Sequence, residues 1–347
     1  MLPPILKHSA TIIFTSIALH VSHSYAQADF LGLIDSMHNT KMSTASRMEV
    51  ISASLMNKPY VDGNLGEGKI GRYDQDPLFR FDVFDCTTYV ETVLAGALSS
   101  HSRDFPQHMQ KIRYQQGIVS FVTRNHFTST DWIPNNQWLL TDITATVGQG
   151  FELSAETIID KKAWYRAMSE DRLQGLSATV NKQRLLDDLH RESQPFSPES
   201  VKTPYIPLTA LFVAQRATTA GIAQRKQAAL SIQSDSLLDE KGRQKAWHQL
   251  AIKSYIEDAY LNQALLNRIP SGSIISMVRP NYDVKQWIGT NLNVTHQSIA
   301  IRKNGQLYLR HASQLRRKVV DERFTDYFSK YLINSSLKGF NIQRPTF

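Results

Sequence analysis

One cysteine, Cys86, is the whole thiol complement of this 347-residue chain. No disulfide can form within it, so the core must hold the fold unaided, and 41% hydrophobic residues suffice for a sizeable one. Long apolar runs are also scarce. Ala10 to Val21 is such a run, but it is short for a bilayer span. With Lys7 before it and Ser24-Tyr25-Ala26 after it, it reads as an export signal cut after Ala26. A retained anchor is the other reading. The mature chain, 27–347, is then expected in the periplasm as a single elaborated domain with no further membrane span. The histidines nowhere show the close spacing of a zinc motif, which argues against a metal site. No internal repeat, cofactor motif or basic-aromatic nucleic-acid motif is present. Acidic residues are outnumbered, 31 against 39 Lys and Arg, giving a formal charge of +8. That sign suits an acidic polymer such as cell wall or an anionic surface, and it serves plain solubility equally well.

What the sequence does have is organised around Cys86. Asp85 is a good helix N-cap, because its carboxylate can accept a bond from a free first-turn N–H. Val90, Val93, Leu94 and Ala97 follow at helical spacing and give the helix one buried stripe. Cys86 then stands in the first turn, where free N–H groups and the helix dipole favour negative charge. Such a position is expected to lower the thiol pKa and make a nucleophile. A lone cysteine is otherwise a small buried hydrophobe.

Upstream, Asp29 to Asn57 predicts one or two amphipathic helices, and a glycine-marked loop through Gly63, Gly66, Gly68 and Gly71 leads towards Cys86. Downstream, Asp104 to Tyr114 reads as helix and 117–136 as short strand and loop. That loop carries Arg124, Asn125, His126, Asp131 and Trp132, groups able to line a pocket for a polar ligand, although ordinary polar turns have the same composition. Leu139 to Val201 gives only weak alternating signals. A helical insertion is expected over 210–267, with solvated charged faces. The last section is β-rich: strands begin at Gly272 and Val294, Asn304-Gly305 is a hairpin turn, and the partner strand runs from Gln306 to Ser313. A helix is expected over Phe324 to Leu332 and a closing strand from Gly339.

The hairpin carries His296 and His311, eight residues before Asn304 and six after Gly305, which makes them near neighbours across the ladder. Thiol hydrolysis of an amide needs a nucleophile, an imidazole to take and return its proton, and a third polar group to hold the imidazole in the right tautomer. Cys86, His296 and His311 are candidates for these three roles. Each histidine alone reads more readily as a half-buried structural residue; the pair together with a helix-start cysteine reverses that preference.

Pro59-Tyr60, Asp85-Cys86-Thr87 at a helix start, and His296 on a strand leading through a turn to His311 together resemble the NlpC-type cell-wall cysteine hydrolases. Phe84-Asp-Cys-Thr-Thr-Tyr-Val-Glu-Thr, Arg113-Tyr114, Arg124-Asn-His-Phe with Asp131-Trp132, and Tyr308-Leu-Arg-His-Ala-Ser are similar to the N-acetylmuramoyl-L-alanine amidase-like branch. The resemblance implies an α+β, papain-like NlpC-type fold, with a central antiparallel sheet packed on the catalytic-cysteine helix and large helical insertions. It implies Cys86 as nucleophile, His296 as base then acid, and His311 as the orienting member. Tyr60 corresponds to a tyrosine beside the cysteine, and Asp85 to an acid that binds ligand or caps the helix. The expected substrates are peptidoglycan fragments, cut between N-acetylmuramic acid and L-alanine, with Arg124 a candidate for a substrate carboxylate. The 210 residues between Cys86 and His296 require insertions, and Gln297-Ser298 stands where small apolar residues commonly follow the base. Rival readings are a γ-D-glutamyl-diamino acid endopeptidase, a non-catalytic peptidoglycan-binding module and a zinc amidase.

Overall fold

A computed structural model describes residues 26–214, 218–257 and 259–347. Of the expected export signal, 1–26, residues 1–25 lie outside the described residues. The centre of the fold is an eight-stranded antiparallel sheet. Its strands are β1 (Leu140–Asp142), β2 (Leu153–Ile159), β3 (Glu199–Pro207), β6 (Ile274–Tyr282), β7 (Leu292–Lys303), β8 (Gln306–Ser313), β9 (Lys318–Arg323) and β10 (Gly339–Pro345). The order is β2-β3-β10-β6-β7-β8-β9, with β1 on the far end of β10. A separate pair, β4 (Phe212–Ala214) and β5 (Ala259–Leu261), brackets the helices Thr219–Ser234 and Glu240–Glu257. Among the described residues no helix is long and apolar enough to cross a membrane.

Side chains alternate across a strand, so each strand of the central hairpin serves two cores. Ile299 and Ile301 on β7, with Ala312 on β8 and Val319 on β9, pack under α3 (Cys86–Leu98) against Val90, Val93 and Leu94. On the opposite face, Ala300 and Leu309 join Met277, Phe340 and Ile342 beneath Phe324 and Phe328 of the short helix Phe324–Ser329. The apolar stripe read in the sequence is therefore the buried face of α3. Three more helices frame it: α1 (26–36), α2 (Thr44–Ser54) and α4 (Phe105–Arg113). Gly96 lets α1 lie close, since a Cβ there would sit 2.9 Å from the Phe30 ring and 3.1 Å from Ile51.

The hairpin forms as its turn residues require. Asn304 and Gly305 both have positive φ, 49° and 78°, as a two-residue turn matching the strand twist demands. Lys303 pairs with Gln306, and the register runs to Ile299 opposite Arg310. Beyond that point β7 and β8 separate. On the other side of β7 the register with β6 shifts between Met277 and Val278, next to His296.

Several elements differ from the sequence expectation. The 117–136 stretch is a chain of tight helical turns, with one isolated bridge, Tyr114 to Arg124, in place of a strand. Its polar side chains bond to neighbouring backbone, which gives the chain local alternatives to a ladder. Strands β2, β3 and β9 carried no clear signal. Two prolines, Pro204 and Pro207, interrupt β3, and β9 is six residues with a charged end.

Candidate active site

The site begins at the first turn of α3. Asp85 Oδ1 accepts from the backbone N–H groups of Thr87 and Thr88 at 3.0 and 2.8 Å, and Thr88 Oγ1 accepts from Asp85 N–H at 2.9 Å. This reciprocal cap fixes where the helix starts and so where the half-buried Cys86 stands. The Cys86 sulfur lies 3.9 Å from Thr87 Oγ1 and close to the backbone N–H of Gln297, the residue after His296. That N–H is available because β8 has parted from β7 there. Among the described residues no hydrogen bond joins the sulfur to either imidazole.

The two histidines are joined directly. His296 Nε2 lies 2.7 Å from His311 Nδ1, and His311 Nε2 lies 3.2 Å from Glu322 Oε2. Glu322 also takes Lys330 on its other oxygen. Tyr327 closes the pair from above, with ring centres 6.4 and 5.6 Å from His296 and His311. The His311 bond, helped by Lys330, holds the Glu322 carboxyl down at about 2. An ionised carboxylate only accepts, so His311 carries its proton on Nε2. In neutral His311 the Nδ1 lone pair then accepts from His296 Nε2–H, which leaves Nδ1 of His296 free to take a proton. One acidic side chain thereby sets the polarity of two rings.

Burial pushes His296 down to about 3, with the neighbouring His311 adding to it. Burial pushes the Cys86 thiol up to about 12, Asp85 adds to the rise, and the Gln297 N–H opposes it. The expectation of a lowered thiol pKa is thus overturned. Cys86 does occupy the first turn, but desolvation and the capping carboxylate outweigh the helix start. Both partners rest uncharged.

The other sequence candidates divide into two groups. Tyr60 bridges to Phe84, and its phenol is raised by burial and by the nearby Cys86, which places it beside the thiol. Asp85 is engaged as the cap. Arg124 and His126 line a cavity of about 190 Å³ with Asp62 and Trp164. Arg124 nevertheless pairs with Asp74 at 3.0 Å and donates to the Leu65 carbonyl, so its charge is already matched. His126 sits against Phe121 and Trp164, with Nε2 2.7 Å from the Phe121 carbonyl, and burial holds it well below the ordinary imidazole value. Asn125 lines only a small cavity, of about 40 Å³, beside Arg124 and His126, and Trp132 is packed into the core. Asn125 bonds the Ile112 carbonyl and Asn135, while fully buried Trp132 donates to Glu91. Their polar atoms are already bonded to protein, where composition alone had left ligand contact open.

Sequence reading missed a second cavity, of about 320 Å³, on the far face of the sheet. His296 and His311 form its floor, and Arg279, Tyr282, Glu322, Tyr327, Lys330 and Tyr331 stand around it. These residues come from three elements and the loop after them, so no short motif marks them. Gln297 is 1% exposed, and both its amide atoms lack a protein partner among the described residues. No group of three or more His, Cys, Asp or Glu among the described residues could hold a metal ion.

A family model described as AmiA-like, N-acetylmuramoyl-L-alanine amidase-like, matches residues 50–333. The fold is similar to that of a Legionella pneumophila protein assigned to the family model DUF1460. The two are 31% identical, with a TM-score of 0.76, and the match covers 94% of this chain and 97% of that one. It is also similar to an N-acetylmuramoyl-L-alanine amidase from Bacteroides uniformis at 20% identity and a TM-score of 0.53, covering 88% and 99% of the two chains. At that identity the second likeness speaks for the fold. No curated protein matches the chain.

Proposed function

Since the chain belongs to the N-acetylmuramoyl-L-alanine amidase-like family, we propose that it cuts the amide between the lactyl group of N-acetylmuramic acid and L-alanine in peptidoglycan fragments, with Cys86 as nucleophile. The observation that supports this reading is the line His296–His311–Glu322, with the cysteine at the helix start close to the backbone of Gln297, the residue next to His296. A papain-like arrangement, with the cysteine helix lying against the hairpin of the base, fits the packing of α3 on β7 and β8. We read 27–347 as one hydrolase domain of an exported, periplasmic protein, with 210–267 as its insertion.

In the mechanism, the Cys86 proton passes to His296 Nδ1 as the sulfur adds to the amide carbonyl carbon. Because thiol and imidazole rest uncharged, this transfer accompanies attack rather than preceding it. It requires the Cys86 sulfur and the His296 imidazole to come within hydrogen-bond reach when substrate binds. The Cys86 backbone N–H, unpaired in the first turn, is the natural oxyanion donor, and the buried Gln297 amide is a second candidate. His296 then gives the proton to the L-alanine nitrogen and the C–N bond breaks. His296 next takes a proton from water, whose oxygen displaces the thioester sulfur. The lactyl carboxylic acid leaves and Cys86 regains its proton.

Mass spectrometry of muropeptides incubated with the purified protein tests the bond. Free stem peptide beginning at L-alanine is the expected product. Cleavage after the γ-D-glutamyl residue would make the protein an endopeptidase, and unchanged muropeptide would leave a binding module.

Glu322 gives a sharper check on the imidazole chain. Glu322→Leu is expected to lower kcat on the order of 10- to 100-fold with little change in KM. Glu322→Gln should keep more activity, because its carbonyl oxygen can accept the same His311 N–H. Equal activity of wild type and the Leu variant in steady-state kinetics would remove Glu322 from the chain. The contact is expected to survive acid. A carboxyl lowered to about 2 is fully ionised above the ordinary carboxylate range and loses its bond only as pH falls through 2.

A further inference from the structure

Arg279, on β6, stands at the lip of the cavity floored by the two imidazoles. Its Nε donates to Thr295 Oγ1 at 3.0 Å and its Nη1 to Ser336 Oγ. The guanidinium carbon lies 5.4 and 5.7 Å from the ring centres of Tyr282 and Tyr331. Two hydroxyls and two rings therefore orient it, and all four are neutral. Among the described residues no carboxylate lies within ion-pair distance of it, and Nη2 has no hydrogen-bond partner. Several other arginines are fully engaged: Arg72, Arg80, Arg113, Arg124 and Arg310 each pair with an acid, and Arg47 and Arg302 spend both terminal nitrogens on backbone carbonyls. Lys330, the other cation of the cavity, is committed to Glu322.

A half-buried cation loses hydration, and that loss is offset only by hydrogen bonds and counter-charge. Arg279 has the hydrogen bonds that fix its plane but no counter-charge. A planar fork held still with one terminal nitrogen open is arranged to meet a carboxylate. Its anchor Thr295 adjoins His296, and both Arg279 and His296 line the cavity, so a carboxylate held there lies on the imidazole side of the site. A γ-linked D-glutamyl residue following L-alanine offers such a group, because the γ linkage leaves its α-carboxylate free.

We propose that Arg279 binds this free α-carboxylate and makes the enzyme selective for stem peptides in which it has not been amidated. The assignment rests on the amidase reading above and deepens it to a substrate feature.

The test compares two substrates, N-acetylmuramoyl-L-alanyl-γ-D-glutamate and its α-amide, against wild type, Arg279→Ala and Arg279→Lys. Wild type is expected to favour the acid about 10- to 100-fold in kcat/KM, the range of one charge-assisted contact. Arg279→Ala should lose most of that preference, chiefly through KM on the acid substrate, and fall no more than a few-fold on the amide. Arg279→Lys should keep part of it. Equal losses on both substrates, or a wild type indifferent to amidation, overturn the proposal. If wild type cleaves neither substrate, the amidase reading fails by itself. Calorimetry with the L-alanyl-γ-D-glutamate dipeptide then decides the subsite: tighter binding to wild type than to Arg279→Ala supports it, and equal binding overturns it.

Discussion

Cys86→Ala is expected to lower amidase turnover by at least about 10⁴-fold while leaving the fold intact, since no other nucleophile remains beside the imidazoles. Cys86 is the chain's only thiol, so no second cysteine can mask the loss. The substitution removes one small half-buried side chain, and Asp85 still caps α3 through its bonds to Thr87 and Thr88. Circular dichroism and the melting temperature should therefore match wild type, and substrate should still bind. Alkylation adds a second readout. A thiol held near 12 is almost wholly protonated at neutral pH, so labelling by iodoacetamide should be slow and should still be rising at pH 9. A labelling rate that levels off near neutrality would mean a preformed thiolate–imidazolium pair. Activity retained by the alanine variant would end the cysteine mechanism.

Arg113→Ala is expected to cost about 3–5 kcal/mol of stability, the usual result of removing one member of a buried ion pair. Arg113 comes from the end of α4 and meets Glu91 of α3 at 2.6 Å, with 4% and 1% of the two side chains exposed. It also donates to the Leu65 carbonyl at 3.0 Å, and Trp132 completes the cluster on the other oxygen of Glu91. Without the guanidinium, Glu91 is left as a buried acid whose pKa burial already raises. Taking about 2 °C per kcal/mol for a chain of this size, the melting temperature should fall by roughly 6–10 °C. The double variant Glu91→Leu/Arg113→Met should recover much of the loss, because no uncompensated charge then remains. A single variant as stable as wild type, measured by calorimetry, would show that the pair does not hold the cysteine helix.

Much of the architecture near the site could be read residue by residue. Asp85 as cap, the Val90–Val93–Leu94 stripe, and the Asn304-Gly305 turn depend on contacts within a few residues, and each lies where its pattern required. The pairing of His296 with His311 followed from the turn alone. Counting from the turn made the two histidines near neighbours, and the register makes them diagonal neighbours on one face, close enough for a 2.7 Å contact. Glu322 could not be found this way. It closes a six-residue charged strand whose existence depends on pairing with β8, and in sequence it looks like a solvated acid. Arg124 misled in the opposite direction. Its neighbours suggested a ligand, but Asp74, fifty residues earlier, neutralises it. Trp132 belongs to the α3–α4 cluster for the same reason: its partner Glu91 lies forty-one residues away.

Sequence alone determined the nucleophile candidate, the two imidazoles and the family they point to, because capping, helical spacing and turn chemistry act over a few residues. The tertiary structure decided which charges are already matched, that Arg279 has no carboxylate partner among the described residues, and that burial opposes charge on both thiol and imidazole. Those properties depend on burial and on partners brought together from distant parts of the chain, where local pattern carries no information.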